Sequence, residues 1–215
     1  IHNLRGMDVL CIDKTGTLTQ DRVQLDRHID GSSRESERLL VLAYLNSYFE
    51  TGLKNPLDTA ILAHEEINVG AWRKIDEVPF GFERRRISVL VDNGPQRLLV
   101  VKGAPEDILR LSTLHEADGP TVLRALDDDT RRAVYAQFEA LSREGFRVLG
   151  IASREVGPDH AHAIVDDESE LVFAGFAAFL DPPKVSAAQA LKELAQCNVE
   201  IKVVTGDNEL VTQHV

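Results

Sequence analysis

The first apolar stretch of the chain has no strand partner near it in the sequence. Residues 7–13, MDVLCID, are typical of a buried strand, and the segments that follow have helical patterns. A strand, a helix and a second strand are predicted only at the far end, over 171–181, 186–197 and 199–207. Because β-α-β units build parallel sheets, the simplest assembly places the first strand beside these last ones. Everything between about 21 and 170 then becomes an inserted domain.

The insertion predicts a mixture of helices and antiparallel strands. The DNGP sequence between two apolar stretches is typical of a hairpin turn, which favours an antiparallel meander. Residues 159–170 are acidic and predict an exposed, mobile loop. The predicted fold class is therefore α/β, with a partial parallel sheet that carries a large inserted α+β domain built on an antiparallel sheet. In the insertion, helices are predicted over 36–50, 55–67, 105–114 and 127–145, and strands over 75–80, 85–92, 96–103 and 146–156.

The charge balance of the chain excludes some classes of partner. With 24 basic and 35 acidic residues, the formal net charge is −11 at pH 7. Nucleic acids and anionic membrane surfaces reward basic patches, so neither is a predicted partner. The apolar run at 171–180 is half of the roughly 20 residues that a membrane helix needs, so no segment is predicted to cross a bilayer. The chain does not begin with Met and has no signal peptide, which predicts that it is cut from a longer protein.

Polar residues follow two of the predicted parallel strands at their carboxyl ends. Ligands of open parallel sheets collect at such ends, and both DKTGTLT (13–19) and TGD (205–207) stand there. The carboxylate of Asp13 can attack a phosphoryl group, and Asp207 can bind Mg²⁺ or its waters. An isolated DKTG is as readily an ordinary capped turn, but the full seven-residue string favours catalysis. Donors for phosphate oxygens are expected from Lys14, Thr15, Gly16, Thr205 and Gly206.

Four motifs occur in an order that resembles the P-type cation-transporting ATPases. The phosphorylation motif DKTGTLT is intact at 13–19, and KGAPE (102–106), DPPK (181–184) and TGDN (205–208) follow at roughly the family spacing. The resemblance covers nearly the whole chain. Three longer stretches are most similar to the bacterial magnesium-transporting branch, namely NPLDTAIL, PFGFERRRISV and TGDNELV.

The resemblance implies a domain organisation and a phosphorylated residue. Residues 1–20 and 171–215 would form a phosphorylation domain of the haloacid dehalogenase fold, incomplete at its C-terminus, and 21–170 the nucleotide-binding domain. Asp13 would accept the γ-phosphoryl group of ATP, and Asp13 and Thr15 are the expected Mg²⁺ ligands. The other residues expected at this catalytic site are Lys14, Thr205, Gly206 and Asp207.

The resemblance also implies a nucleotide site in the insertion. Phe80 would stack on adenine, with Phe82 as a competitor for that role. Gly103 would let the nucleotide approach the backbone. Each residue also has an ordinary structural explanation: a Phe after Pro is commonly core, a strand-end Lys is commonly solvated, and an Asp near a helix start favours the helix dipole. The remaining expected contacts are Asp58 near the adenine amino group, Lys102 near the nucleotide, and Arg147 near the phosphates or beside a structural carboxylate.

One position separates a pump from a phosphatase. Soluble phosphatases of the haloacid dehalogenase fold carry a second aspartate two positions after the nucleophile, where this chain has Thr15. Without that proton-transferring carboxylate the aspartyl phosphate should hydrolyse slowly, which favours a transport ATPase. The alternatives left open are a nucleotide-binding module without activity in this truncated form, a pump for calcium or protons, and a soluble phosphotransferase.

The predicted partners follow from the same resemblance. The chain is expected to bind ATP and Mg²⁺ and to work with an actuator domain and membrane helices of the same polypeptide. It would then be the cytoplasmic part of an integral membrane protein, in the inner membrane of a bacterium. Alone, this piece is expected to bind adenine nucleotide weakly and to turn over little or none.

Overall fold

The structure, a computed structural model, describes residues 7–20, 22–52, 54–117, 119 and 122–205. These residues form a mixed α/β fold with one two-stranded and one eight-stranded sheet. Within the described ranges, no helix has the length and apolar character needed to cross a membrane.

The small sheet joins the two ends of the chain. Strand β1 (Val9–Asp13) pairs in parallel with β10 (Glu200–Val204), and helix α5 (Val185–Gln196) leads into β10. The register places Asp13 opposite Val204. The predicted pairing of the first strand with the last is therefore confirmed.

The large sheet contains most of the other strands and is mainly antiparallel. The order of neighbours is β3-β4-β5-β8-β9-β6-β7, and β2 pairs with the second half of β9. Only the pairing of β6 with β9 is parallel among the described pairs of this sheet. The strands are β2 (Gln24–Ile29), β3 (Arg73–Gly81), β4 (Arg86–Asp92), β5 (Arg97–Gly103), β6 (Ser112–Glu116), β7 (Leu123–Ala125), β8 (Arg147–Glu155) and β9 (Leu171–Leu180).

Four helices accompany this sheet, and side chains cap the first turn of three of them. Ser36 caps α1 by accepting a hydrogen bond from the Leu39 amide, and Asn55 forms a capping box with Asp58 at the start of α2. Asp127 caps α4 through the Thr130 amide. The helices are α1 (Glu37–Phe49), α2 (Pro56–His64), α3 (Pro105–Leu111) and α4 (Asp128–Arg143).

The sheet separates two apolar clusters. Val89 and Val91 of β4 pack with α1 and α2, whereas Leu90 between them packs with α3 and α4. Because side chains alternate along a strand, a sheet covered on both faces needs apolar residues at every position. This requirement explains the continuous apolar runs in β4, β5 and β9. Every residue of β4 is buried.

One predicted pairing is wrong. Residues 171–181 were expected to join the parallel sheet of the first strand, but β9 pairs with β8, β2 and β6 in the large sheet. The physical reason is its two-sided burial: Phe173 and Phe176 fill one apolar cluster and Phe179 the other. A strand, helix, strand pattern does not reveal which sheet receives the first strand. The division into two domains stays a prediction, with its second boundary moved from 171 to after Leu180.

Three further differences concern local structure. The helix predicted over 105–114 ends at Leu111 and continues as β6, and the sequence did not predict β2 or β7. The acidic stretch 159–170, predicted to be an exposed loop, contains a short 3₁₀ turn at Val165–Asp167. Glu168 follows this turn and is 1% exposed, so part of the stretch is anchored in the fold.

Candidate functional site

A cavity lies where β3 ends and β4 begins, beside the end of α1 and the start of α2. Its volume is about 280 Å³. Larger grooves of about 590 and 450 Å³ lie elsewhere, but neither is lined by a residue that the sequence predicted for a site. The cavity is lined by Glu50, Gly52, Asn55, Asp58, Glu77, Pro79, Phe80 and Ile87.

A buried cluster of charged side chains forms one wall of this cavity. The ammonium group of Lys102 donates hydrogen bonds to Asp58 Oδ1 and, at 2.9 Å, to Ser47 Oγ, and it lies 3.4 Å from Glu50 Oε2. The Ser47 hydroxyl in turn donates to Asp58 Oδ1 at 3.0 Å. The side chains of Lys102, Asp58 and Glu50 are only 3%, 1% and 4% exposed. The chain thus brings Asp58 and Lys102 together, as an ion pair.

The two carboxyl groups of this cluster have opposite pKa shifts. Burial raises the pKa of Glu50 from 4.5 to about 7, against the opposing charge of Lys102 and with help from a hydrogen bond to Asp58. Burial also pushes the pKa of Asp58 upward, but the Lys102 charge and hydrogen bonds from its neighbours outweigh it and keep that pKa below 3.8. Near neutral pH, Asp58 is therefore the ionised partner of Lys102, while Glu50 titrates.

This titration predicts a pH-dependent stability. The folded protein binds the Glu50 proton more tightly than the unfolded chain, so the free energy of unfolding falls as pH rises from 4.5 to about 7. The groups that face Glu50 are Lys102, Asp58 and, across the cavity, Glu77. We expect Glu50→Gln, which mimics the neutral acid, to remove roughly 2 kcal/mol of that decline between pH 5 and 8. Urea unfolding at a series of pH values measures it, and parallel curves for the two proteins would contradict it.

The two candidate aromatic residues occupy different positions. Phe80 lines the cavity and is 52% exposed, whereas Phe82 is 90% exposed and is not part of the lining. Their rings meet edge to face with centroids 5.4 Å apart. The geometry favours Phe80 over Phe82 as the residue that meets a ligand in the cavity.

Three of the predicted nucleotide contacts lie near the end of the sheet that carries the cavity, but they are not among the described residues that line it. They are Lys102, Gly103 and Arg147. A Cβ atom on Gly103 would lie 2.4 Å from Arg86 Cβ, so the close approach that requires glycine there is to strand β4. Arg147 begins β8, and the register places Gly150 of the same strand opposite Gly103. Arg147 therefore lies beyond the end of β5, at the same edge of the sheet.

The parallel strand ends bring Asp13 and Thr205 to one edge of the small sheet. Asp13 is exposed and opposite Val204, and Thr205 directly follows. Gly16 has a φ of 75°, and its amide donates to Thr19 Oγ1 at 3.2 Å, so the glycine closes the turn. Lys14 is only 3% exposed, and its role as a donor to phosphate stays a prediction. The chain backbone places Thr15 in the π-helical turn Lys14–Leu18, and Gly206 and Asp207 lie outside the described residues.

Comparisons with known proteins decide the family. A family model described as "P-type ATPase, cytoplasmic domain N" matches residues 48–186. The chain belongs to this P-type ATPase family. The matched range contains the cavity and all of β9, whereas Asp13 and Thr205 lie outside it.

Curated relatives agree with this P-type ATPase assignment. The "Magnesium-transporting ATPase, P-type 1" of Salmonella typhimurium is 45% identical over 100% of this chain, which spans 24% of that protein. The protein of the same name in Escherichia coli K12 is 44% identical with the same coverage, and "Calcium-transporting ATPase 1" of Lactococcus lactis is 24% identical. The chain thus spans about a quarter of the length of the first relatives.

In this P-type ATPase chain, two short segments connect the sheets and lie side by side. The Gln20 amide donates to Pro182 O at 2.9 Å, and the Lys184 amide donates to Leu18 O at 2.8 Å. The hydroxyl of Thr19 donates to Asp181 Oδ2 at 2.6 Å. The sequence identified DPPK as a motif but did not predict this role. The sequence signal for this role was a carboxylate next to two prolines in a connecting segment.

The sequence also missed two acidic residues of the cavity. Glu50 is the C-cap of α1, three residues after Ser47, and Glu77 accepts hydrogen bonds from the Thr51 amide at 3.0 Å and from Lys74 at 2.7 Å. Neither belongs to a motif, and nothing in the local pattern distinguishes them from solvated carboxylates. Only the packing of α1 against β5 reveals Glu50.

Proposed function

We propose that this chain is the nucleotide-binding and phosphorylated part of a magnesium-transporting P-type ATPase, whose reaction passes through an aspartyl phosphate. The observation that carries the proposal is the cavity in the range matched by domain N, lined by half-exposed Phe80 and by the buried acids Asp58 and Glu50. An aromatic face beside hydrogen-bonding carboxyl groups suits a nucleobase with an amino group.

In this proposal the adenine base stacks on Phe80 and the acids of the cavity wall fix its edge. Lys102 is too buried to reach a ligand directly, because its ammonium group is enclosed by Asp58, Ser47 and Glu50. It acts by holding Asp58 ionised and in place. Arg147, at the cavity end of β8, is the proposed contact for the phosphates, as the family resemblance implies.

The phosphoryl transfer is assigned to Asp13. Its carboxylate oxygen attacks the γ-phosphorus of ATP, a new O–P bond forms, and the bond to the departing ADP breaks. Among the described residues no three acidic, His or Cys side chains converge as a metal site. Mg²⁺ is commonly held by one or two carboxylates together with phosphate oxygens and water. Asp13 and Thr15 would hold it, and the ion would neutralise charge on the phosphates when bound.

The presence of two separate sheets supports the proposed domain organisation. Residues 1–20 and about 181–215 belong to a phosphorylation domain of the haloacid dehalogenase fold, and the large sheet belongs to the nucleotide-binding domain. The remaining partners are an actuator domain and membrane helices of the same polypeptide, in a bacterial inner membrane. The two connecting segments, 18–20 and 182–184, lie next to the start of β2 and the end of β9. Arg147 lies at this same end of the large sheet. A bound nucleotide therefore sits on the side of the sheet that leads toward Asp13.

The transported ion is proposed from the relatives. The magnesium-transporting relatives are 44–45% identical and the calcium-transporting one is 24% identical. The ion ligands themselves belong to membrane segments that are not in this chain. Measuring which divalent cation stimulates ATP hydrolysis by the full-length membrane protein tests the assignment, and stimulation by Ca²⁺ alone would contradict it.

Titration of ATP into this chain tests the nucleotide site. We expect Phe80→Ala to weaken binding about tenfold, because the base loses its stacking partner. Phe82→Ala is the matched control, since Phe82 is exposed and outside the cavity, and it should bind within about twofold of wild type. Equal affinity for ATP in wild type and Phe80→Ala would remove the nucleotide-site proposal.

A further inference from the structure

A fully buried carboxylate lies outside the cavity and has no role in the site described so far. The side chain of Glu168 is 0% exposed and accepts four hydrogen bonds. Arg84 Nη1 donates to both of its oxygens at 2.8 Å, Arg86 Nε donates at 2.6 Å, and Ser88 Oγ donates at 2.6 Å. A carboxyl group that accepts from four donors is fixed in position.

Both arginines belong to the hairpin between β3 and β4. Arg84 Nη2 donates to Pro79 O at 2.5 Å, and Arg86 Nη1 donates to Arg84 O at 3.0 Å. Arg85 between them points elsewhere, to Asp107 at 3.0 Å. Arginines in a run of charged residues are usually solvated, but the side chains of Arg84 and Arg86 are only 21% and 8% exposed. The same two guanidinium groups form hydrogen bonds within the hairpin and hydrogen bonds from the hairpin to Glu168.

The hairpin carries the aromatic residue of the cavity. Arg84 contacts the residues on both sides of Phe80. It donates a hydrogen bond to the carbonyl of Pro79, and a Cβ atom added to Gly81 would lie 2.8 Å from Arg84 Nε. The guanidinium group therefore fills the space that a side chain at position 81 would need. The position of Arg84 controls the backbone on both sides of Phe80.

We propose that Glu168 is a positioning residue of the nucleotide site: through Arg84 and Arg86 it holds the hairpin that presents Phe80 to the cavity. This inference rests on the proposed function. Glu168 lies in the segment between β8 and β9, so it couples a part of the chain remote in sequence to the base-binding wall. Without its charge, two largely buried guanidinium groups lose their counterion, and the hairpin loses its attachment.

The test is a set of ATP and adenosine titrations of this chain, followed by amide chemical shifts. In Glu168→Gln, we expect about fivefold weaker binding of both ligands, because the affected contact is to the base. In the ligand-free variant, the Gly81 and Phe82 amide signals should shift. Glu116→Gln is the matched control: Glu116 is a buried carboxylate beside Arg38, and both line a different cavity. It should change neither readout.

A double substitution separates positioning from general support of the fold. Once Phe80 is replaced by Ala, adding Glu168→Gln should weaken ATP binding no further. If Glu168→Gln does not fold, Arg84→Lys replaces it, since Lys keeps the charge but cannot bridge Glu168 and Pro79 in the same geometry. It should give the same loss of affinity and the same dependence on Phe80.

The outcomes are distinguishable. Unchanged affinity in Glu168→Gln and Arg84→Lys, or an undiminished further loss in the Phe80→Ala background, overturns the positioning role while the nucleotide site stands. No difference between wild type and Phe80→Ala overturns the proposed function and this inference with it.

Discussion

Replacing Asp13 by Asn in the full-length protein should abolish formation of the acid-stable phosphoenzyme from ATP. A carboxamide cannot attack phosphorus as a carboxylate does, so the covalent route is lost and ATP hydrolysis should fall on the order of 10³-fold or more. The exposed position of Asp13, at the carboxyl end of a strand in a parallel pair, gives an incoming phosphate access to its oxygens. The measurement is acid-precipitable label from γ-labelled ATP.

Asp8→Asn is the control for this experiment. Asp8 is also exposed, but its backbone accepts from the Glu200 amide at the other end of the small sheet. It should leave the phosphoenzyme level close to wild type, because it is far along the strand from the attacking group. Acid-stable label that persists in Asp13→Asn at the wild-type level would show that another residue is the nucleophile.

Most helices and strands of the fold follow from local patterns. Ser36, Asn55 and Asp127 begin helices where the sequence places them, and the DNGP turn joins β4 and β5 as an antiparallel hairpin, as predicted. Local patterns do not indicate which strands pair with each other. Strand β9 satisfies the β-α-β pattern equally well in either sheet, and only the need to bury phenyl rings on both faces assigns it to the large one.

The candidate site shows the same limit at the level of side chains. The motifs single out Asp58, Phe80 and Lys102, and the structure places Asp58 and Phe80 in the lining of one cavity and Lys102 in an ion pair with Asp58. Their neighbours Glu50 and Glu168 carry no motif, because a carboxylate that is solvated and one that is buried have the same letter in the sequence. Their importance arises from burial and from the cations that the fold places beside them.

Replacing Lys102 by Met should lower the free energy of unfolding by about 3–5 kcal/mol, since it leaves Asp58 buried without its counterion. The methionine retains much of the apolar stem, so the loss reports on the missing charge. Near neutral pH the remaining acids of the cluster should share a proton, and the variant should regain stability as pH falls toward 5. Urea unfolding followed by the fluorescence of Trp72, which packs against the α1 and α2 cluster, measures the change.

Two companion variants decide whether the charge is the cause. Lys74→Met removes a lysine whose side chain is 23% exposed and pairs with Glu77 at 2.7 Å, and it should cost only about 1 kcal/mol, because solvent replaces much of the interaction. Adding Asp58→Leu to Lys102→Met should recover part of the loss, since no unpaired ion of that pair is then buried. If the double variant is less stable than Lys102→Met alone, the loss comes from packing and hydrogen bonds around Ser47, and the ion pair is not what stabilises this wall of the cavity.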